Sequence, residues 1–407
     1  MRAEFLFIVM VGLPARGKST IAWKLRESLK RDGVSAAIFN NGDLRRRLTK
    51  ENSSHPEFFD PSNKEGVALR ERYAQINLNR ARAFVGRSGT RSRVAIIDAA
   101  NVSEGRRDML SRELPKDRVL FVECINNDSD ILEANIQHKA DGKEFSHLPK
   151  STAIEMFRKR IQYYKQIYDQ LGKERNYIQV DSFDYRIIHE KLDDGIPFFD
   201  RIRDFLVTPF IQNLYVVRHT ETFFNLENRI GGDSELTPEG YRQAETLARH
   251  LQRRRIPLVF SSALKRTIQT AEVIQRYQPE CKVLPFGEFN EIGSGVCDSM
   301  TYDEIRERLP EVAAARTSNK YVYQYPGGES YASMKARVDR GIKKVLYISR
   351  HSDGIAIVGH RAINRMVLSH FLYKREEDVP YIYMPQDKYY HISITQDRRV
   401  FELKRFA

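Results

Sequence analysis

Short apolar runs alternate with longer stretches whose apolar residues recur every three or four positions, and this happens twice along the chain. In the first half FLFIVMVG (5–12) is a continuous apolar run that ends in a glycine-rich turn, as expected of a strand buried on both faces. KSTIAWKLRESLKRDG (18–33) follows with helical spacing. VSAAIFN (34–40), RVAIIDAAN (93–101), RVLFVECI (118–125) and YIQVD (177–181) repeat the strand signal. KEGVALRERYAQINLNRARAFVGRSG (64–89) reads as a long helix among them. Strands alternating with helices predict a parallel, doubly wound α/β sheet.

A second alternation begins near Gln212. NLYVVRH (213–219) is its first strand, and TPEGYRQAETLARHLQRR (237–254) is a helix opened by a Thr-Pro cap signal. LVFSSA (258–263) and GIAIVGH (354–360) read as strands. LKRTIQTAEVIQRY (264–277) and RAINRMVLSHFLY (361–373) read as helices, and YYHISIT (389–395) with RVFELKRF (399–406) as an antiparallel pair. The segment around 183–211, with DDGIPFF, connects the halves. The fold class expected is α/β, with two doubly wound domains at 1–205 and 206–407.

Both alternations carry chemistry at strand ends. Gly12-Leu13-Pro14-Ala15-Arg16-Gly17-Lys18-Ser19 fits G-x-x-x-x-G-K-[ST] between a strand and a helix. Backbone N–H groups of such a turn wrap a β-phosphate, and the helix start adds a positive dipole. Lys18 would reach the β/γ oxygens of ATP, and Ser19 would ligate Mg²⁺ with Thr20 as a second hydroxyl nearby. Asp98 ends VAIID where a metal-binding acid should sit. Asp43 in NNGDLRRRL is a weaker candidate and reads as a helix cap. One or two of Arg45, Arg46 and Arg47 are expected to face a phosphorylated acceptor.

In the second half Arg218-His219-Thr220-Glu221 closes an apolar strand. A neutral imidazole can attack a phosphoryl group to give phosphohistidine, provided cations surround the transferred group. Arg218 is adjacent, Arg266 is a second clamp, and His360 ends a further strand at the same sheet edge, where ligands bind. Glu291, in FNEIGSGV, can serve as general acid and then as base.

Composition narrows the partners. The 407 residues carry a formal net charge of +13, with 41% hydrophobic and 30% charged. The length suggests two or three domains. The basic residues are dispersed, which favours small polyanions such as ATP and sugar phosphates over nucleic acid. No apolar run of about 18 residues occurs, so neither a membrane span nor a membrane partner is expected. The N-terminal apolar run leads into the glycine-lysine turn and reads as a strand, not a signal peptide. Three cysteines (Cys124, Cys281 and Cys297) form no disulfide or zinc pattern, which fits a cytoplasmic location.

These residues carry a resemblance. R-H-x-E, S-x-x-x-R-[AT]-x-x-T-A and a late G-H after an apolar strand resemble the histidine phosphatase (phosphoglycerate-mutase-like) superfamily. Together with GLPARGKST, FNNGDLRRR, FF-x-P-x-N, IIDAANVSEGRR, RIGGDS-x-L, LKRTIQTAE, NEI-x-x-GVC, MTYDEI and YP-x-GESY, they resemble the bifunctional 6-phosphofructo-2-kinase/fructose-2,6-bisphosphatase family over nearly the whole chain. The resemblance implies a P-loop kinase domain followed by a histidine phosphatase domain. They would synthesise and hydrolyse fructose 2,6-bisphosphate from fructose 6-phosphate and ATP.

It also implies roles. In the kinase half Gly12, Pro14, Ala15, Arg16, Gly17, Lys18, Ser19 and Thr20 would bind ATP, with Asn135 to Lys139 touching the nucleotide. Ser19 and Asp98 would hold Mg²⁺, and Arg45, Arg70, Arg106, Arg160 and Tyr164 would hold fructose 6-phosphate. In the phosphatase half His219 would be the phosphorylated nucleophile and Glu291 the proton donor, with Arg218, Asn225, Arg266 and His360 around the phosphoryl group. Gly231, Tyr302, Arg316, Lys320, Tyr331, Arg361 and Arg365 would hold the rest of the sugar bisphosphate. Relatives imply a homodimer.

The sequence departs from the family pattern at several positions. Thr220 replaces a glycine, Ala100 a threonine, Asn126 a cysteine, Gly293 an aspartate and Arg361 a glutamine. A lysine arrives one residue early, as Lys139, leaving Ala140 in the expected place. A polynucleotide or other phosphometabolite kinase-phosphatase is the rival reading, against which RTSNKYVYQYPGGESY suits a small sugar pocket. A chain with only one half active is a third, motivated by Ala100 and Arg361.

Overall fold

β1 (Phe5–Val11) is buried along almost its whole length, and its side chains feed two cores by simple alternation. Leu6, Ile8 and Met10 pack on one side of the sheet, Phe7, Val9 and Val11 on the other. That is the reason its sequence is uniformly apolar. In this computed structural model the described residues are 4–49, 54–208, 211–349, 352–372, 374–395 and 398–407. The chain divides into two compact units, Met1–Thr208 and Pro209–Ala407.

In the first unit β1 is followed by α1 (Lys18–Arg31), β2 (Ser35–Asn40), α2 (Asn41–Leu48), α3 (Lys64–Val85), β3 (Arg93–Asp98) and α4 (Glu104–Glu113). Then come β4 (Val119–Ile125), α5 (Ser129–Ala140), α6 (Lys150–Gln166), β5 (Asn176–Asp181), β6 (Arg186–Leu192) and α7 (Phe199–Val207). The strand order is β2-β3-β1-β4-β5-β6. The first five strands are parallel and β6 runs antiparallel to β5. Leu25 and Leu29 of α1 and Ile202 and Phe205 of α7 cover one face; Leu78 of α3 and Leu110 of α4 cover the other. Order reverses at β1, so a crevice opens at its carboxyl end. The register sets Met10 and Asn40 beside Asp98 at that edge.

Within the connecting segment expected around 183–211, Arg186–Leu192 forms β6 and Phe199–Val207 forms α7. β6, RIIHEKL, mixes charged and apolar residues without alternation and is mostly exposed, so it shows neither an apolar run nor a period of two. The cut expected between 205 and 206 falls inside α7, whose Phe205 and Leu206 are buried in the first unit's core.

The second unit runs β7 (Ile211–Arg218), α8 (Phe223–Leu226), α9 (Pro238–Leu251), β8 (Leu258–Ser261), α10 (Lys265–Arg276), β9 (Lys282–Pro285), α11 (Tyr302–Arg308) and α12 (Pro310–Ser318). It continues with α13 (Tyr331–Ile348), β10 (Ile355–Gly359), α14 (Arg361–Leu372), β11 (Lys388–Ile394) and β12 (Arg399–Arg405). Tyr373, the expected last residue of that final helix, lies outside the described residues. The sheet order is β12-β11-β7-β10-β8-β9. β7, β10, β8 and β9 are parallel, and β11 and β12 close the other edge as an antiparallel pair. Arg218 pairs with Gly359, and Ser261 with Val358, so His219, His360 and Ser262 leave the sheet side by side. Among the described residues no helix is long and apolar enough to cross a membrane.

Candidate functional sites

At the end of β1 the chain turns back tightly on itself. Gly12 has φ of 132°, and a Cβ there would lie 2.6 Å from the Cys124 carbonyl oxygen of β4. Its N–H donates to the Ala100 carbonyl at 2.9 Å. Glycine is required by both the close approach and the dihedral. Gly17 caps α1 with no side-chain hydrogen bond, leaving the first amides of the helix for an anion. Lys18 is buried and donates Nζ to the Leu13 carbonyl at 2.6 Å. Burial lowers it to about 8, with Asp98 opposing. Asp98 accepts from Asn40 Nδ2 at 2.5 Å and from the Ser19 hydroxyl, and its burial raises its pKa.

These groups open into a cleft of about 420 Å³. Pro14, Ala15, Lys18, Ser19, Asp98 and Lys139 line it together with Arg45, Arg70, Arg106, Arg160 and Tyr164. Gly12, Arg16, Gly17, Thr20 and Asn135 lie off its wall; Asn135 Nδ2 donates to the Ala15 carbonyl at 2.8 Å, behind the loop. Asp43 is exposed, paired with Arg46 Nη2 at 2.5 Å.

Sequence reasoning missed two residues here. Asn40 caps α2 through Oδ1, accepting from Asp43 N at 2.9 Å, while its Nδ2 reaches Asp98. Its signal was an Asn before a helix. Glu144 gathers Arg45, Arg46 at 3.0 Å and Arg160 at 3.4 Å around one carboxylate; nothing in DGKEF announces it.

In the second unit His219 follows β7 and is 4% exposed. Its Nδ1 sits 2.8 Å from the Thr220 carbonyl. A carbonyl only accepts, so Nδ1 carries the proton and Nε2 keeps its lone pair. Burial, with Arg218 and Arg266 alongside, holds the imidazole well below its usual range. It is therefore neutral and nucleophilic. Thr220 is buried against Thr270 of α10, and it is not among the residues with positive φ. Threonine fits there without backbone strain.

Arg218 is buried, and its Nε has no hydrogen-bond partner. Burial, reinforced by Arg361, lowers its guanidinium to about 9. Arg266 donates Nη1 to the Gly232 carbonyl at 2.7 Å and Nε to His360 Nδ1 at 3.1 Å. His360 is fully buried, 5.3 Å ring to ring from His219. It is not on the cleft wall but behind it, acting on the cleft through Arg266.

The cleft itself is about 350 Å³. Arg218, His219, Asn225, Gly231, Arg266 and Glu291 line it, as do Tyr302, Arg316, Lys320, Tyr331, Arg361 and Arg365. Gly231 has φ of 69°, and a Cβ there would strike Asp298. Arg365 donates Nη1 to the Tyr331 hydroxyl at 3.2 Å. Lys320 is lowered to about 8 by burial and the neighbouring Arg365. Arg337 braces the loop bearing Glu291: it donates to the carbonyls of Glu288 and Asn290, each at 2.8 Å, and pairs with Glu329 at 2.6 Å. Arg337 and Gln386 lay outside every sequence motif; Glu329 falls within YP-x-GESY, which assigned it no role.

A parallel sheet with a phosphate-binding turn, followed by a sheet presenting a neutral histidine among arginines, defines a P-loop kinase joined to a histidine phosphatase. The 6-phosphofructo-2-kinase family model matches residues 1–208, and the histidine phosphatase superfamily (branch 1) model matches residues 214–406. The chain is 36% identical over 391 residues to rat 6-phosphofructo-2-kinase/fructose-2,6-bisphosphatase 4, covering 93% of this chain and 80% of that protein. It is 33% identical to the human protein numbered 3 in that series, covering 93% and 72%. Among solved structures, a putative alpha-ribazole-5'-P phosphatase from Escherichia coli covers 48% of this chain and 96% of that chain, at 22% identity and a TM-score of 0.45. The chain belongs to the 6-phosphofructo-2-kinase/fructose-2,6-bisphosphatase family.

Proposed function

We propose that the first unit transfers the γ-phosphoryl group of ATP to O2 of fructose 6-phosphate and that the second removes it by hydrolysis. The observation that carries the reading is the state of His219: neutral, with Nδ1–H tied to the Thr220 carbonyl and Nε2 keeping its lone pair, in a cleft that Arg218 and Arg266 also line.

In the second unit His219 Nε2 attacks the 2-phosphoryl phosphorus and the P–O2 bond breaks. Glu291 donates a proton to the departing O2. Water then attacks the phosphohistidine, Glu291 takes its proton, and inorganic phosphate leaves. Arg218 and Arg266 balance charge on the phosphoryl oxygens in both steps.

In the first unit the hydroxyl of Ser19 and the carboxylate of Asp98 form an adjacent all-oxygen donor pair. This fits Mg²⁺, which takes one or two protein oxygens and completes its shell with phosphates and water. When bound, Mg²⁺ neutralises charge on the phosphates. Lys18 would contact the transferred group, and Arg45 and Arg160 would orient the sugar phosphate. Positioning and charge neutralisation supply most of the catalysis.

The test is to incubate the protein with Mg-ATP and fructose 6-phosphate and follow fructose 2,6-bisphosphate. Formation followed by breakdown is expected. Lys18→Ala should abolish formation only, and His219→Ala should abolish the phosphoenzyme and most breakdown. Neither formation nor breakdown by the unmodified protein overturns the reading.

A further inference from the structure

We infer that Gln386 is a positioning residue for phosphoryl transfer in the second unit, setting the face that Asn225 turns to the cleft and tethering the nucleophile's turn. This rests on the reading above, in which His219 and Asn225 border the transferred group. Gln386 stands just ahead of β11, the strand beside β7, and lines the cleft with Asn225. Its Nε2 donates to Asn225 Oδ1 at 2.9 Å and to the His219 carbonyl at 3.2 Å. A primary amide nitrogen has two hydrogens, and both are used.

The consequence for Asn225 follows from counting lone pairs. Its Oδ1 also accepts from Thr222 N at 3.2 Å, part of the capping box that starts α8. With Gln386 the oxygen has two donors, its full complement. Nδ2, with two N–H groups, is the end left for a ligand. A phosphoryl group presents only acceptors, so this orientation attracts and the flipped one repels. The His219–Thr220 peptide is held in the same way: its oxygen by Gln386, its nitrogen by Thr270 Oγ1 at 3.4 Å. The next carbonyl, that of Thr220, is the one that fixes the His219 tautomer.

Gln386→Leu removes both donors at similar volume, and Gln386→Glu puts an acceptor against two acceptors. For Gln386→Leu, kcat for fructose 2,6-bisphosphate hydrolysis should fall about 10- to 100-fold, the scale of a small misplacement of reacting groups, with KM changed less than about threefold. On an Asn225→Ala background the same substitution should cost much less, because the two act as a unit. Gln386→Glu should regain activity as pH falls and its carboxyl becomes a donor, a recovery that the parent and the Leu variant lack. A thermal melt of the same preparations reports folding of the second unit, and the Glu variant's pH profile remains readable if the Leu variant is unstable. If the parent forms no phosphohistidine, the underlying reading fails. If the parent does and Gln386→Leu turns over within twofold of it, or its loss is fully additive with Asn225→Ala, this inference is overturned.

Discussion

Arg266 Nε donates to His360 Nδ1 at 3.1 Å, and that contact fixes the tautomer of an imidazole that never meets the cleft. With Nδ1 accepting, the His360 proton sits on Nε2, 2.8 Å from Ser262 Oγ. A lysine keeps the charge of Arg266 but lacks the fork that spans the Gly232 carbonyl and His360. Arg266→Lys is therefore expected to slow phosphohistidine formation about 100-fold, measured by rapid quench. A rate within threefold of the parent would show that charge alone suffices.

Arg218→Met should trade activity for stability. It removes a buried cation whose Nε has no partner, and taking one such charge out of water costs several kcal/mol of desolvation. The expected outcome is a higher Tm with phosphatase activity at background. Inorganic phosphate should raise the parent's Tm more than the variant's.

Alkaline loss of phosphatase affinity should trace to Lys320, which is lowered to about 8. It is charged below that value and neutral above it, so KM should rise as pH climbs through 8. Lys320→Arg should flatten that rise in a KM–pH profile.

His219 and His360 are held well below their usual range, first by burial. The unfolded chain binds protons at these residues near pH 6.5 and the folded chain does not. Stability therefore falls as pH drops below about 6.5, by up to about 1.4 kcal/mol per pH unit for each histidine. Denaturant melts between pH 7.5 and 5.5 check this, and His360→Asn should shallow the slope.

Asn40→Asp separates two jobs of one side chain. Aspartate caps a helix as well as asparagine does, so α2 should persist. The new carboxylate faces Asp98 where Nδ2 now donates at 2.5 Å. Kinase turnover should fall at least about 10-fold with a changed Mg²⁺ dependence, while phosphatase turnover stays at the parent's value.

Strands such as β1 and β7 were legible because burial on both faces leaves uninterrupted apolar runs ending in chemically odd residues. β6 and β9 were not: both are edge strands, short or charged, and their identity comes from pairing, not pattern. The P-loop and the Arg218-His219 pair were legible because local spacing encodes their geometry. Glu144, Arg337 and Gln386 were not, since each acts on partners far away in sequence. Gln386 is 161 residues from Asn225, and no local rule reaches that far.

Glu144 has an implication for how the two clefts meet ions in solution. Among the described residues that line them, the first cleft sets seven cationic side chains against three carboxylates, Glu71, Asp98 and Glu144; the second sets seven against Glu291, with Arg229 paired to Glu227 and Glu304 beside the cleft. In the first, Glu144 already serves as a built-in counter-ion, so an arriving sugar phosphate exchanges with an anion of the protein. In the second, the displaced anions come from the surrounding solution. Ionic strength should therefore weaken capture far more steeply at the phosphatase cleft than at the kinase cleft. Raising salt would tilt the balance between the opposed reactions towards synthesis.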